Sequence, residues 1–151
     1  LREPTAGVVS APEAHLVGQR PLLVTGSLRT NLTLGLDTPP NDDALWSALD
    51  EVGLGDDLRA LAGGLDAPLG DDGFGLWAGQ RARLALARAI LSEAAMVLLD
   101  EPTAHLDDRS AGLAHNAIQR LARTRSVVVV THRPELVELA DAEVRLGGDR
   151  G

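Results

Sequence analysis

The apolar residues in the second half of the chain follow two alternating patterns. Short and almost wholly apolar runs at 95–99 and 126–131 are typical of strands that a parallel sheet buries on both faces. Residues 78–91 and 109–123 instead repeat apolar side chains at helical spacing. This order of strand and helix predicts an α/β fold with right-handed crossovers and a mainly parallel sheet.

The rest of the chain predicts smaller elements. In order, these are a strand at 14–24 that runs into a loop, short helices at 27–35, 43–52 and 57–62, a Gly- and Asp-rich loop at 63–75, a helix at 134–139 and a last strand at 142–146. Asn41 or Asp42 is expected to be the N-cap of the helix at 43–52.

Composition narrows the class of protein. A length of 151 residues suits one domain with a real core, and the absence of cysteine excludes disulfides and thiolate metal sites. The net charge of −8 and the three aromatic residues weigh against nucleic-acid binding. No apolar run approaches the roughly 18–20 residues that cross a bilayer, so a membrane role needs a partner or further chain. Because the sequence starts at Leu1 without an initiator Met, we expect a fragment.

Polar residues follow both apolar runs, at what is expected to be one edge of the sheet. Asp100 and Glu101 follow the first run, and His132 follows the second. Asp100 suits a Mg²⁺ shell, Glu101 suits a general base for an attacking water, and His132 suits a donor to a γ-phosphate oxygen. Taken alone, the pattern is explained equally well by solvated strand ends.

Several motifs together resemble the nucleotide-binding domain of ABC transporters, of the exporter type. They occur in the order of that family. Gln19 matches the Q-loop, GDDG at 70–73 lies where exporters contact the membrane domain, and LWAGQ at 76–80 matches the LSGGQ signature. LLDEPTAHLD at 98–107 matches Walker B, the catalytic glutamate and the D-loop, and THR at 131–133 matches the H-loop. Within exporters, the chain looks most similar to bacterial thiol (cysteine or glutathione) exporter subunits.

The resemblance implies a fold and an activity. The fold would be P-loop NTPase-like, with a helical subdomain over about 36–78 and a Walker B to H-loop core over 79–151. The activity would be hydrolysis of ATP, with Mg²⁺, to power export through a fused or separate transmembrane domain at the cytoplasmic face of the membrane. Two such domains would form a head-to-tail dimer with shared ATP sites, and nucleic acid is not an expected partner.

The resemblance also implies roles for individual residues. Glu101 and His132 would be catalytic, and Asp100 would bind Mg²⁺. Gln19 would contact Mg²⁺ or the attacking water, and Asp107 would cross the dimer interface. The signature residues Leu76, Trp77, Ala78, Gly79 and Gln80 would open a helix whose N-terminus faces the γ-phosphate of ATP on the opposite subunit. Gly79 would allow the backbone to approach that phosphate closely.

Two features depart from the family pattern. No GxxGxGK[ST] phosphate loop occurs, so the Walker A region is expected to be truncated and the isolated fragment to be inactive. Trp77 stands where the family has a serine, and Ala78 stands where it has a glycine. The site that this signature completes is therefore expected to be slow or inactive, as in asymmetric heterodimeric exporters. The alternatives are a regulatory domain of such an exporter, and a soluble ABC-type ATPase that acts on the ribosome or on DNA.

The remaining polar and aromatic residues are given structural roles. Trp46 is expected to pack against the core, and His15 and His115 to lie at the surface or in caps. His105 is a weaker candidate for the dimer interface. The arginines of the 78–91 helix are expected to be solvated or in local ion pairs.

Overall fold

The computed structural model describes residue 10 and residues 12–70, 75–104 and 106–145. The strands are β1 (Ala14–Val17), β2 (Gly26–Ser27), β3 (Pro68–Leu69), β4 (Met96–Asp100) and β5 (Ser126–Val130). The helices are α1 (Leu28–Leu32), α2 (Asp42–Glu51), α3 (Gly55–Arg59), α4 (Ala78–Leu91), α5 (Asp108–Ala122) and α6 (Pro134–Val137), with a 3₁₀ turn at Gly64–Asp66. Among the described residues, no helix has the length and apolar character needed to span a membrane.

Three parallel strands form the main sheet, in the order β1-β4-β5. Val17 pairs with Leu99, and Asp100 pairs with Val130, so the three strands end at the same edge. Helix α5 connects β4 to β5, as a crossover between parallel strands requires. The predicted α/β fold with a mainly parallel sheet is confirmed.

Helix α4 organises the core, because it packs against α1, α2, α5 and β1. Its periodic apolar positions are fully buried, as are leucines from the short helices before it. The largest of these buried side chains include Leu28, Leu32, Leu45, Leu49, Leu84 and Leu86. Asn41 is the N-cap of α2, since its Oδ1 accepts a hydrogen bond from the backbone N–H of Ala44 at 2.9 Å.

Two arginines of α4, Arg83 and Arg88, are buried, so the expectation that these side chains are solvated was wrong. Arg88 donates to the backbone carbonyls of Asn31 at 2.9 Å and Leu22 at 3.1 Å. The Asn31 carbonyl lies in the last turn of the short helix α1, and the Leu22 carbonyl lies in the irregular chain between β1 and β2, so neither has a strand partner. Burial lowers the pKa of Arg88. The buried guanidinium therefore ties α4 to the segment that follows β1.

The sheet is packed on one face only, which corrects the expectation that its strands are buried on both. Val17, Val97 and Leu99 lie on the face that the helices cover. On the other face, Val128 is 48% exposed and Leu16 is 50% exposed. Within the described ranges, the helices packed on the sheet all lie on the first face.

Two predicted elements differ from the structure. The segment 63–75, expected to be loop, contains the 3₁₀ turn and strand β3, which pairs with β2 in antiparallel orientation. The strand predicted at 142–146 is wrong in its described part, because 142–145 is irregular and has no strand neighbour.

The histidines outside the site are less exposed than expected. His15 lies on the packed face of β1 and is half-buried, and the Nε2 atom of His115 is buried within α5. Burial lowers the pKa of His15, and the nearby charges of Arg88 and Arg125 lower it further. Trp46 packs against the core as predicted, with the guanidinium of Arg59 4.7 Å from its ring.

Candidate active site

Five polar residues lie at or just beyond the carboxyl ends of the three parallel strands. We call them the sheet-edge group, and they are Gln19, Asp100, Glu101, Thr131 and His132. They share this edge because the register aligns the ends of β1, β4 and β5. The carboxyl edge of such a sheet is where ligands bind in α/β folds. The expectation that Asp100, Glu101 and His132 share one edge is borne out by the pairing of β4 with β5.

Glu101 and His132 form a hydrogen-bonded pair across this edge. The Nδ1 atom of His132 lies 2.8 Å from Oε1 of Glu101. Because an ionised carboxylate only accepts, Nδ1 is the donor when Glu101 is charged. The carboxylate is largely buried while the imidazole is exposed, which leaves the rest of the ring open to solvent.

Thr131 supports this pair, and sequence reasoning gave it no role. Its Oγ1 lies 3.4 Å from Oε2 of Glu101, at the long end of a hydrogen bond, and accepts from the backbone N–H of Arg133 at 3.1 Å. The hydroxyl therefore links the carboxylate to the turn that carries His132. The sequence signal was the Thr that ends the apolar run directly before the histidine.

The backbone of Glu101 adopts a left-handed conformation, with φ of 49°. This region costs energy for a side chain other than glycine and is found most often at functional positions. Two hydrogen bonds hold it there. The N–H of Glu101 donates to the carbonyl of Val130 at 2.9 Å, and its own carbonyl accepts from Ala104 at 3.0 Å. The chain thus leaves β4 in a tight turn that holds the Glu101 carboxylate beside the end of β5.

Asp100 and Gln19 are exposed at the same edge. In the part of the chain that the structure describes, the Asp100 carboxylate has no hydrogen bond or ion pair, so both oxygens are free for a cation. Those residues include no cluster of three or more acidic, His or Cys side chains that could hold a metal alone. Mg²⁺ usually binds to one or two carboxylates and completes its shell with water and phosphate, so a single carboxylate with an amide oxygen suits it.

The signature segment (residues 76–80) lies at the N-terminus of α4. Trp77 is the N-cap, and its backbone N–H donates to Oε1 of Gln80 at 3.2 Å. No side-chain hydrogen bond caps the N–H groups of the first turn. Leu76 is buried beneath the segment, and Arg81 donates to its carbonyl.

The indole of Trp77 folds back over Gly79. A Cβ built on Gly79 would collide with Cζ3 and Cη2 of the ring. Gly79 is consequently buried, whereas it was expected to be open to backbone approach. The guanidinium of Arg83, one turn further along α4, lies 5.5 Å from the ring centroid. The ring therefore lies along the first turn of the helix.

Asp107 belongs with the signature segment rather than with the sheet edge. It is the N-cap of α5, where Oδ1 accepts from the backbone N–H of Ser110 at 2.9 Å and Oδ2 accepts from its hydroxyl at 3.0 Å. These two hydrogen bonds lower the pKa of Asp107. Asp107 lines a cavity of about 490 Å³ together with Trp77 and Arg83. His105 and residues 71–73, the other expected interface residues, lie outside the described residues.

The expected site residues therefore form two groups. Across the described ranges, no hydrogen bond or ion pair joins the signature segment to the sheet-edge group. The signature side chain of Gln80 instead lies 3.5 Å from Asp57 of α3.

Comparison with known proteins decides the family. The model of the ABC transporter family matches residues 10–104, which is more than half of the chain. The chain belongs to the ABC transporter family. It is 36% identical over 138 residues to an ATP-dependent lipid A-core flippase of Alkalilimnicola ehrlichii, covering 91% of this chain and 23% of the flippase. It is 38% identical over 125 residues to the glutathione/L-cysteine transport system ATP-binding/permease protein CydD of Haemophilus influenzae, covering 83% of this chain and 21% of CydD.

A solved structure supports the fold of this ABC transporter chain. A bacterial Atm1-family ABC exporter with ATP bound matches it with a TM-score of 0.73 and 26% identity, covering 85% of this chain and 22% of the exporter chain. The chain thus spans less than a quarter of the length of these relatives. The two curated relatives are named for different cargoes at similar identity, so the similarity indicates an exporter type without selecting a substrate.

Proposed function

We propose that this chain is most of an ATP-hydrolysing domain that powers export by an ABC transporter, with 36–78 as its helical subdomain and 79–151 as its Walker B to H-loop core. The observation that carries the proposal is the hydrogen bond between Glu101 and His132 at the carboxyl edge of the parallel sheet. This edge is the place where a P-loop NTPase-like fold performs its chemistry.

Glu101 would act as the general base. Its left-handed backbone and its hydrogen bond to His132 hold the carboxylate in one position, where it can accept a proton from the attacking water. His132 would keep the carboxylate oriented through Nδ1. When both ring nitrogens carry a proton, Nε2 can donate to a phosphate oxygen while Nδ1 donates to Glu101.

Asp100 and Gln19 would hold Mg²⁺ beside this pair. Both lie at the exposed sheet edge, and they offer the oxygen ligands that Mg²⁺ prefers. When bound, Mg²⁺ would neutralise part of the negative charge of the phosphates. The work left to the protein is to fix the base, the water and the phosphate in line.

The signature segment and Asp107 would serve a second ATP, held mainly by a partner nucleotide-binding domain. The separation of these residues from the sheet-edge group supports this division. The N-terminus of α4 has no side-chain cap, so its backbone N–H groups would be offered to an anion once the Trp77 ring leaves Gly79. The chain would thus contribute one half to each of two composite sites in a head-to-tail dimer. A fused or separate transmembrane domain would hold it at the cytoplasmic face of the membrane.

A second candidate function is a regulatory domain of a heterodimeric exporter. It is favoured by the indole over Gly79, which blocks the backbone approach that a γ-phosphate needs. The intact Glu101–His132 pair opposes it. A soluble ABC-type ATPase that acts on the ribosome or on DNA has no comparable support, since the net charge of −8 disfavours nucleic acid.

Steady-state ATPase activity of the intact transporter tests the proposal. Glu101→Gln keeps the shape of the side chain but removes its basicity, so turnover should fall about 100-fold or more. Glu93→Gln is the matched control, because Glu93 is an exposed glutamate before β4, and this variant should keep full activity. Unchanged hydrolysis by Glu101→Gln would contradict the assignment of the base.

A further inference from the structure

We propose that Trp77 sets the affinity of the signature segment for phosphate, because its indole occupies the approach to Gly79 and must move before an anion reaches the N-terminus of α4. The inference rests on the proposed function, since it concerns the ATP that this segment would complete for a partner domain. It assigns one side chain as the determinant of that affinity.

The Trp77 ring is in close contact with Gly79 and also lies near the guanidinium of Arg83. The indole lies directly against the Cα of Gly79, where only a residue without a Cβ leaves room for it. The Arg83 guanidinium lies 5.5 Å from the ring centroid, at a distance at which a cation is attracted to an aromatic face.

Arg83 is itself fixed, which makes it a firm support for the ring. It is 4% exposed, and it donates to the carbonyls of Gly53 at 2.9 Å and of Gly79 at 3.3 Å. Burial lowers its pKa, and at neutral pH the guanidinium remains charged. The partner of the ring is therefore a cation that does not move away.

The ring also has space to leave Gly79. Trp77 borders the cavity of about 490 Å³ between α3, α4 and α5, and the indole is 47% exposed. A cavity of several hundred Å³ accommodates a drug-sized ligand and therefore an indole. In the proposed account the ring alternates between its observed position over Gly79 and a position in the cavity, and only the second position exposes the backbone to phosphate.

The effect on affinity follows from the populations of the two arrangements. If the ring covers Gly79 about nine-tenths of the time, the apparent Kd for the nucleotide is raised about tenfold. Replacing the indole with a small side chain removes this penalty. Phenylalanine retains a flat ring that still covers the glycine, so it should retain most of the penalty.

The test is equilibrium binding of a non-hydrolysable ATP analogue to the intact transporter. Trp77→Ser should lower the Kd of the site that the signature segment completes about tenfold, and Trp77→Phe should change it less than about twofold. Trp46→Phe is the matched control for loss of an indole elsewhere, and it should have no effect on the Kd. An equal Kd for wild type and Trp77→Ser overturns the inference.

A second measurement follows the ring itself. The transporter is labelled with 5-fluorotryptophan, and the Trp77 resonance is identified as the ¹⁹F signal that Trp77→Phe removes. The signal should shift when the analogue saturates the protein, and an unshifted signal overturns the inference even if Trp77→Ser does not fold. If Glu101→Gln loses ATPase activity but the Kd or the ¹⁹F signal does not change as expected, the proposed function stands and only this inference fails. If Glu101→Gln keeps its ATPase activity, the proposed function itself is refuted.

Discussion

The imidazole of His132 reaches across the sheet edge from the end of β5 and hydrogen-bonds to the Glu101 carboxylate at the end of β4, with 2.8 Å between Nδ1 and Oε1. The pair joins residues 31 positions apart in sequence. Because β4 and β5 are paired up to Asp100 and Val130, the rigid sheet sets the separation of the two side chains. This geometry is a preorganised arrangement of a base and a potential donor.

Removing the imidazole should therefore slow hydrolysis more than it weakens nucleotide binding. His132→Ala is expected to lower kcat by about 100-fold or more, as does loss of one preorganised donor in other enzymes. The ATPase kinetics of the intact transporter measure this effect. Glu135→Gln removes an exposed charge only three residues further along, in α6, and should leave kcat unchanged. A His132→Ala enzyme with normal kcat would show that the pair is only structural.

The left-handed backbone of Glu101 predicts an unusual order of stability. Glu101→Ala and Glu101→Gly both remove the carboxylate, yet the Ala variant should be less stable by about 1 kcal/mol because only glycine adopts φ of 49° without strain. Urea unfolding of the chain measures the difference. At Glu93, whose φ is not positive, the same pair should show Ala equal to or more stable than Gly. A less stable Glu101→Gly variant would show that position 101 carries no strain.

The buried guanidinium of Arg88 should be a large contributor to stability. Arg88→Met would leave the buried carbonyl of Asn31 and the partly buried carbonyl of Leu22 without this donor, at a cost of about 2 kcal/mol in the free energy of unfolding. Arg120→Met removes an exposed ion pair to Glu51 and should cost less than about 0.5 kcal/mol. Chemical unfolding of the two variants compares them, and equal losses would contradict the role of Arg88 as a tie between segments.

His15 predicts how stability depends on pH. Its pKa lies below the ordinary value of 6.5, chiefly because burial disfavours the charged ring. The unfolded chain therefore binds a proton that the folded chain does not, and this contribution to stability is complete above pH 6.5 and is lost as the pH falls below it. The variant His15→Gln cannot take up this proton, so its unfolding midpoint should fall less between pH 7.5 and pH 5.5, as measured by thermal denaturation. Identical losses in both proteins would refute the prediction.

The parts of this fold with a strong local period could be predicted from sequence. The periodic positions of 78–91 predict α4 at the bounds that the structure has, and the apolar runs predict β4 and β5 within one residue. The sheet-edge group could be predicted because the ends of parallel strands meet at one edge. The chemistry of the edge thus follows from strand order rather than from any single residue.

Other features depend on contacts between distant segments and leave no local pattern. Strand β3 has two residues and exists through its pairing with β2, some forty positions earlier. The burial of Arg88 depends on carbonyls that lie 57 and 66 positions away. The contact of Trp77 with Gly79 depends on a side-chain rotamer. The sequence shows that residue 88 is a charged arginine and residue 77 a large tryptophan. It does not show which distant groups these side chains contact.

The most direct test of the central claim is the identity of the nucleotide that the intact transporter retains in a single turnover. The protein is loaded with radiolabelled ATP and Mg²⁺, separated from free nucleotide, and analysed for bound ATP and ADP. With Glu101→Gln, the site that includes Asp100 and His132 should retain ATP, while the wild-type protein and Glu93→Gln convert it to ADP. Accumulation of ADP at that site in Glu101→Gln, at the wild-type rate, would contradict the claim that the Glu101–His132 pair carries out hydrolysis.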